Sequence, residues 1–404
     1  MAKRPWTLGL LNAVVGALGR VGIASSLDPE ALVAAARKRT GLSDFGGDDW
    51  REPLELLVGS ATTEAALTPL GRYYLREDLI QRLSNRLLVE DACRRDPQIL
   101  AEPIERPVFI LGLPRSGTTH LHRLLAQDPQ SRVLTTWEMA EPAPPPRPET
   151  YDTDPRIARL ERKLSFINWA GPELRAIHDV DARQPEECIS LMANDLCSVW
   201  FTIGVHVPAY VSWYHAQDLG RSYRGHRRQL QLLQRHMRLD RWVLKAPIHM
   251  HGLEWLLETY PDARIIWTHR DPAEVVPSAA SLLHNFRSIF CAPRDPAEVG
   301  RDCLELLASW TERGARARAA YEARRPARGA VFHDVDYADI VSSPQGTIGR
   351  IYDAFEMPLG DEALGRMQAH LTNAVQNRFG VHRYSLEDFG LDSAKVGARF
   401  AGLA

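Results

Sequence analysis

The stretch Pro107-Val-Phe-Ile-Leu-Gly-Leu-Pro-Arg-Ser-Gly-Thr-Thr119 runs from a short apolar segment into a turn holding two glycines, one cation and three hydroxyls. His120-Leu-His-Arg-Leu-Leu-Ala126 follows with the apolar spacing of a helix face. Strand, glycine-rich loop and helix start, in that order, aim backbone N–H groups and the positive end of a helix dipole at one point. That arrangement holds phosphate. A plain turn closed by a helix N-cap is the alternative, because Ser and Thr favour those positions too.

Gly112 and Gly117 keep the interval of a Walker A loop, but Thr118 stands where its lysine would be, and the cation sits inside the loop as Arg115. A second segment, Arg264-Ile-Ile-Trp-Thr-His-Arg-Asp-Pro-Ala-Glu-Val-Val-Pro-Ser278, repeats the change from strand to helix. Its strand ends at Arg270, where a P-loop nucleotidase often places a magnesium-binding Asp. Pro272 suits a first helical position. Arg270 and Ser278, eight positions apart, combine a planar fork of donors with a hydroxyl and form a second candidate anion site. Two phosphate sites without an evident metal site point to a doubly phosphorylated adenosine.

With both segments in this order, the chain resembles the sulfotransferases that use 3′-phosphoadenosine 5′-phosphosulfate (PAPS). Pro114–Thr119 is similar to the family's 5′-phosphosulfate loop, which in cytosolic members carries lysine at the position of Arg115. Arg270–Ser278 is similar to its 3′-phosphate motif, and Trp242-Val-Leu-Lys-Ala-Pro247 resembles the strand and loop that precede that motif. The resemblance spans roughly residues 104 to 390. It implies an α/β fold with a parallel central sheet flanked by helices, and PAPS as sulfate donor with no metal. Arg115, Ser116, Gly117, Thr118 and Thr119 would hold the 5′-phosphosulfate, and Arg270 and Ser278 the 3′-phosphate. Lys245 would stabilise the sulfuryl group or the leaving oxygen. Two residues compete as acceptor base. His249 lies four positions after Lys245, whereas the cytosolic relatives place a histidine two positions after a lysine. Glu138, in Thr135-Thr-Trp-Glu-Met139, matches families that use a glutamate soon after the phosphate-loop helix. His120 replaces the tryptophan of many cytosolic members, so their adenine stacking is not carried over. Asn377–Tyr384 stands where a basic C-terminal segment closes over the nucleotide in relatives, with Arg378 and Arg383 as its candidate contacts.

A chain of 404 residues, 45% of them apolar, can bury a sizeable core. The formal charge of −2 supplies no global pull on nucleic acid, so local basic sites must do any anion binding. Cys93, Cys188, Cys197, Cys291 and Cys303 are scattered and odd in number, the usage of reduced thiols in a cytoplasmic protein rather than of a disulfide framework or zinc site. His249 and His251 alone make poor metal ligands.

The expected organisation is a helical N-terminal extension over 1–103, a sulfotransferase domain over 104–390 and a tail over 391–404. Within the extension, Trp6–Gly19 follows Lys3 and Arg4 and is too short to span a bilayer. A helix packed on the protein is the first reading of that run, one resting on a membrane surface the second and a cleaved signal the third. Pro142–Pro148 reads as a stiff connector. Residues 155–235 read as largely helical, with aromatics of a core or of an apolar acceptor pocket. The acceptor expected is a hydroxyl on a small hydrophobic alcohol, phenol or lipid. A non-catalytic phosphate-binding module and a P-loop kinase are the competing functions, the latter disfavoured by the missing Walker lysine.

Overall fold

The computed structural model describes residues 6–20, 26–177, 179–324, 330–373 and 384–403. Arg378 and Arg383 lie outside these described residues. Five strands, β1 (Val108–Gly112), β2 (Ser131–Val133), β3 (Arg241–Lys245), β4 (Arg264–His269) and β5 (Phe332–Asp336), form one sheet in the order β2-β3-β1-β4-β5. Every pairing is parallel, with Val108 opposite Val243 on one side and Arg264 on the other. All five residues of β1 are buried, as a central parallel strand covered on both faces requires. Successive side chains serve opposite faces: Phe109 and Leu111 enter one apolar cluster, Val108 and Ile110 the other.

β1 leads to β2 on one side of itself, whereas β4 leads to β5 on the other. The carboxyl ends of β1 and β4 therefore flank a topological switch point, where open α/β sheets form their ligand crevices. The phosphate-type loop follows β1 and the Arg270 motif follows β4, so topology alone brings the two sequence motifs together.

The N-terminal region is helical, comprising α1 (Trp6–Arg20), α2 (Pro29–Thr40), α3 (Arg51–Thr63) and α4 (Pro69–Arg95). Asp28 caps α2 by accepting from the Ala31 amide at 2.9 Å, and Gly41 closes it in the left-handed conformation at φ 71°. Polar groups on the buried face of α4 tie it to the sheet domain. Arg82 donates to the Ser190 carbonyl at 2.9 Å, and Arg86 holds Asp195 at 2.8 Å and the Phe45 carbonyl at 2.8 Å. Asn85 donates to the Ala140 carbonyl at 2.9 Å. One apolar cluster runs from Leu8 through the sheet to Phe400, so the boundaries drawn at 103 and 390 pass through a shared core. The stretch 391–404 contributes a helix, Ser393–Phe400, which buries Val396 and Phe400 in that core.

Phe201, Tyr210 and Tyr214 are buried, and the Tyr210 hydroxyl donates to the Leu196 carbonyl at 2.8 Å. These aromatics are core. All five cysteines are free and buried. Among the described residues no helix is long and apolar enough to cross a membrane, and no group of three His, Cys, Asp or Glu is arranged to hold a metal ion.

Four imidazoles are interior. Burial lowers the pKa of His122 to about 3, of His226 to about 3 and of His251 to about 2, and drives that of His249 well below the ordinary value. A histidine with a depressed folded pKa binds fewer protons folded than unfolded. Its contribution is complete above the unfolded pKa of about 6.5 and is lost as pH falls towards the folded value. Asp195, raised to about 6 by burial, and Glu90, also raised by burial, act in the opposite sense but are two groups against the four imidazoles. Unfolding free energy should therefore fall between pH 7.5 and 5, by up to about 2 kcal/mol per imidazole at the lower limit. Urea titrations at the two pH values check this, and equal stabilities would contradict it.

Candidate active site

The loop after β1 is shaped by a close approach of two strands. Gly112 lies at φ 141°, and a Cβ there would stand 2.2 Å from Thr268 Oγ1 and 2.5 Å from the Thr268 carbonyl oxygen. Only glycine fits opposite Thr268 at this point. The Ser116 hydroxyl shares a 2.6 Å hydrogen bond with Thr268 Oγ1 and lies 2.6 Å from the Leu113 carbonyl, so the loop is latched to β4. Arg115 and Gly117 are both left-handed, at φ 68° and 87°. Gly117 caps α5 (Thr118–Leu125), whose first-turn amides lack helical acceptors by geometry. A Cβ on Gly117 would press on Ile340 and Tyr337 at 3.0–3.1 Å. Thr118 is buried and Thr119 half-buried, so the loop is held firmly while the Arg115 side chain stays exposed, donating to the Ile177 carbonyl at 2.9 Å.

Arg270 leaves the end of β4 and bonds directly to this loop: its Nη1 donates to the Arg115 carbonyl at 2.7 Å. The guanidinium stacks on Tyr337, 4.0 Å from the ring centroid, and pairs with Glu274 at 2.6 Å. Its ion-pair partner is thus one helical turn on, not the adjacent Asp271. Asp271 instead caps the following helix, Pro272–Phe290, by accepting from the Ala273 amide at 2.8 Å. On that helix Ser278 is buried, and its hydroxyl has no hydrogen-bond partner. An unsatisfied buried hydroxyl is uncommon and suits a site meant for a ligand acceptor. A cleft of about 350 Å³ runs along this helix, lined by Arg270, Ala273, Glu274 and Pro277 and by Tyr384 and Leu386 opposite.

A model described as the sulfotransferase family matches residues 107–361, which include both anion motifs and all five strands. The chain belongs to the sulfotransferase family. The solved structure of sulfotransferase STF1 from Mycobacterium tuberculosis H37Rv superposes with a TM-score of 0.81 at 37% identity, covering 92% of this chain and 98% of that one. Sulfotransferase STF9 from Mycobacterium avium superposes at 0.82 with 31% identity, covering 94% and 95%. These two matches span the helical N-terminal region as well as the sheet. A curated relative, the omega-hydroxy-beta-dihydromenaquinone-9 sulfotransferase Stf3 of Mycobacterium bovis, is 24% identical over 307 residues, 72% of each chain.

In this sulfotransferase Lys245 ends β3 with its side chain fully enclosed. Its Nζ donates to Thr119 Oγ1 at 3.2 Å and to Glu187 Oε1 at 2.9 Å, with Glu186 at 3.6 Å. Burial opposes the charge, but Glu187 and Glu186 outweigh it and raise the lysine pKa, so it remains an ammonium. The backbone explains the placement. The Cys188 amide donates to the Lys245 carbonyl at 3.0 Å and the Glu186 amide to the Leu134 carbonyl at 3.0 Å, pinning the Glu186–Glu187 turn beside β3.

The two residues expected to compete as acceptor base are placed differently. Glu138 is completely buried. One carboxylate oxygen is ion-paired with Arg132, and the other accepts from Thr135 Oγ1 at 2.6 Å, the Thr135 amide at 3.2 Å and Tyr151 at 3.2 Å. It closes a capping box on a short helix, and its carboxylate is enclosed among these partners. His249 turns back under the sheet. Its Nδ1 bonds to Tyr223 at 2.9 Å and its ring meets Phe109 edge-on at 5.1 Å, while Nε2 is buried with no partner. The four-residue spacing from Lys245 carries it through a 3-10 turn, Pro247–Met250, into the core. Arg115, Ser116, Gly117, Thr118, Thr119, Lys245 and Arg270 are brought together by direct contacts and chain continuity; Ser278 lies in the second turn of the helix that follows Arg270, and Glu138 and His249 are enclosed among contacts of their own. Glu187 was missed by sequence reasoning. A lone Glu-Glu pair 58 residues from its lysine carries no local signal.

Replacing Gly112 by Ala should destabilise the protein by roughly 3 kcal/mol, since the clash includes backbone and the φ is unfavourable. Denaturant titration reads the change. A loss below about 1 kcal/mol would show that the two strands can separate without penalty.

Proposed function

We propose that this sulfotransferase moves the sulfuryl group of 3′-phosphoadenosine 5′-phosphosulfate to the hydroxyl of a small hydrophobic alcohol, phenol or lipid. The observation that carries the reading is the Arg270–Arg115 contact, which makes the two anion motifs one continuous cradle, with the unsatisfied Ser278 hydroxyl eight residues further along. The left-handed turn at Arg115–Gly117 and the first-turn amides of α5, which have no helical acceptors, suit the 5′ end of such a donor, and Arg270 with Ser278 suits the 3′-phosphate.

The donor supplies an activated S–O bond whose breaking leaves negative charge on a phosphate oxygen. Fixed cations and N–H groups at that position lower the barrier without reorganising. Arg115 and the Lys245 ammonium, held at Thr119, fit this task. Glu187 is our candidate for taking the proton from the acceptor oxygen. It is partly exposed, and of the carboxylates bonded to Lys245 it lies the nearer. Glu138 holds the segment that follows β2 and has no part in proton transfer. The acceptor class is supported by the relative whose named substrate is a hydroxylated menaquinone, a lipid.

Labelled-PAPS transfer over sterols, phenols, hydroxylated quinone lipids, glycolipids and peptides tests the reaction and acceptor together; no transfer to any of these, with donor binding intact, would favour a binding module. Arg270→Ala should weaken donor affinity about 10- to 100-fold, the loss of charge-assisted bonds of roughly 1.5–3 kcal/mol. Arg115→Ala should lower kcat by about 10²-fold or more. Glu187→Gln should lower kcat by about 10²-fold or more and remove the acidic limb of the pH–rate profile while leaving donor affinity in place. An unchanged profile in that variant would remove Glu187 from the base role.

A further inference from the structure

Helix α1 is built opposite to an ordinary surface helix, whose outer face is polar. Its inward side chains secure it to the start of α4. Leu8 is buried, and the Asn12 amide donates to the Leu8 carbonyl at 3.1 Å and accepts from the Leu70 amide at 3.0 Å. A Cβ on Gly16 would lie 3.3 Å from Pro69. The polar side chain thus faces the protein. The outer face presents Trp6, Leu10, Val14 and Leu18, exposed by 82, 58, 49 and 45%. Gly9, Ala13 and Ala17, also exposed, lie between them, and the half-buried Thr7 supplies the polar group this face carries among the described residues. Four residues at i, i+4 spacing draw a straight apolar stripe about 18 Å long.

The charge that flanks the stripe in the sequence is one-signed. Residues 1–20 hold Lys3, Arg4 and Arg20 and no carboxylate, the next acid being Asp28, although the whole chain is net −2. We propose that the outer face of α1 rests on an anionic lipid bilayer, the stripe entering the acyl boundary and the flanking cations meeting headgroups. Trp6, at the end of the stripe, is a residue suited to that interface. A second copy of the chain is a poorer occupant, since an isologous contact through this stripe would oppose the same cations with no acid in the segment to offset them.

The location gives docking a use. Thr68, at the start of α4, donates through both its amide and its hydroxyl to the carbonyl of Phe290, the last residue of the helix that begins at Pro272 and carries Ser278. That helix, 19 residues and about 28 Å long, thus joins the start of α4, on which α1 packs, to the candidate donor site. Supply of a lipidic acceptor from the bilayer rests on the proposed reaction; the binding itself does not.

The full chain is sedimented with vesicles of pure phosphatidylcholine and with equimolar phosphatidylcholine–phosphatidylglycerol vesicles, beside the double variant Leu10→Asp/Val14→Asp. The wild-type protein should partition onto the anionic vesicles, more weakly at about 1 M salt, where the Debye length falls to about 3 Å. The variant's partition coefficient should drop at least about 10-fold. Both substitutions lie on the outer face, so an unchanged melting temperature should show that the variant is folded. Failure of the wild type to bind, or equal binding of both proteins, overturns the proposal. So does a dimer in velocity sedimentation that the variant abolishes. Transfer to a water-soluble phenol should be equal in both proteins. Its absence from both, with the binding difference present, would count against the reaction and leave the bilayer contact standing.

Discussion

The site depends on how closely β1 and β4 approach at Gly112 and Thr268. There is no room for a side chain between them, and the Ser116 hydroxyl bridges the two strands where they end. This contact fixes where the loop after β1 begins and where Arg270 emerges from β4. With those two points set, Arg270 reaches the Arg115 carbonyl, and two motifs separated by 155 positions act as one surface. Either motif alone would be a turn with a cap. The sheet order, with β1 and β4 adjacent and their connections leaving in opposite directions, makes them a crevice.

Around that point the charged groups divide by burial. Glu138 with Arg132 is a sealed pair whose partners are all internal, as a buried ion must have if it is to be tolerated. Lys245 with Glu187 is another enclosed cation, but its carboxylate partner reaches partial exposure and its third contact is the first turn of α5. A glutamate paired with a buried cation thus serves architecture in one place and a candidate chemical centre in another. Accessibility separates the two cases. Arg270, held by Glu274 and stacked on Tyr337, is likewise oriented by protein groups while part of its fork remains near the cleft.

The helical region before β1 belongs to this arrangement structurally. Through Arg82, Asn85 and Arg86, α4 grips segments 140 and 190–195, which lie in sequence between β2 and β3, and its start is bonded to the far end of the helix that opens at Asp271. One apolar cluster holds these parts together. The matches to STF1 and STF9 cover more than nine-tenths of this chain, so the helical region is part of their common architecture.

The sequence alone determined the fold class and the family, because both are written in local patterns: apolar runs of strand length, glycines at fixed intervals, and a proline at a helix start. It offered His249 and Glu138 as candidate bases by their distance along the chain from a motif. Only the tertiary structure decided that one turns into the core behind a 3-10 turn, that the other is spent on a capping box, and that Glu187 stands at Lys245. The physical reason is that strand order and burial are products of the whole packed chain. A carboxylate 58 residues from its lysine has no local signature until β3 and the Cys188 backbone bring them to 2.9 Å.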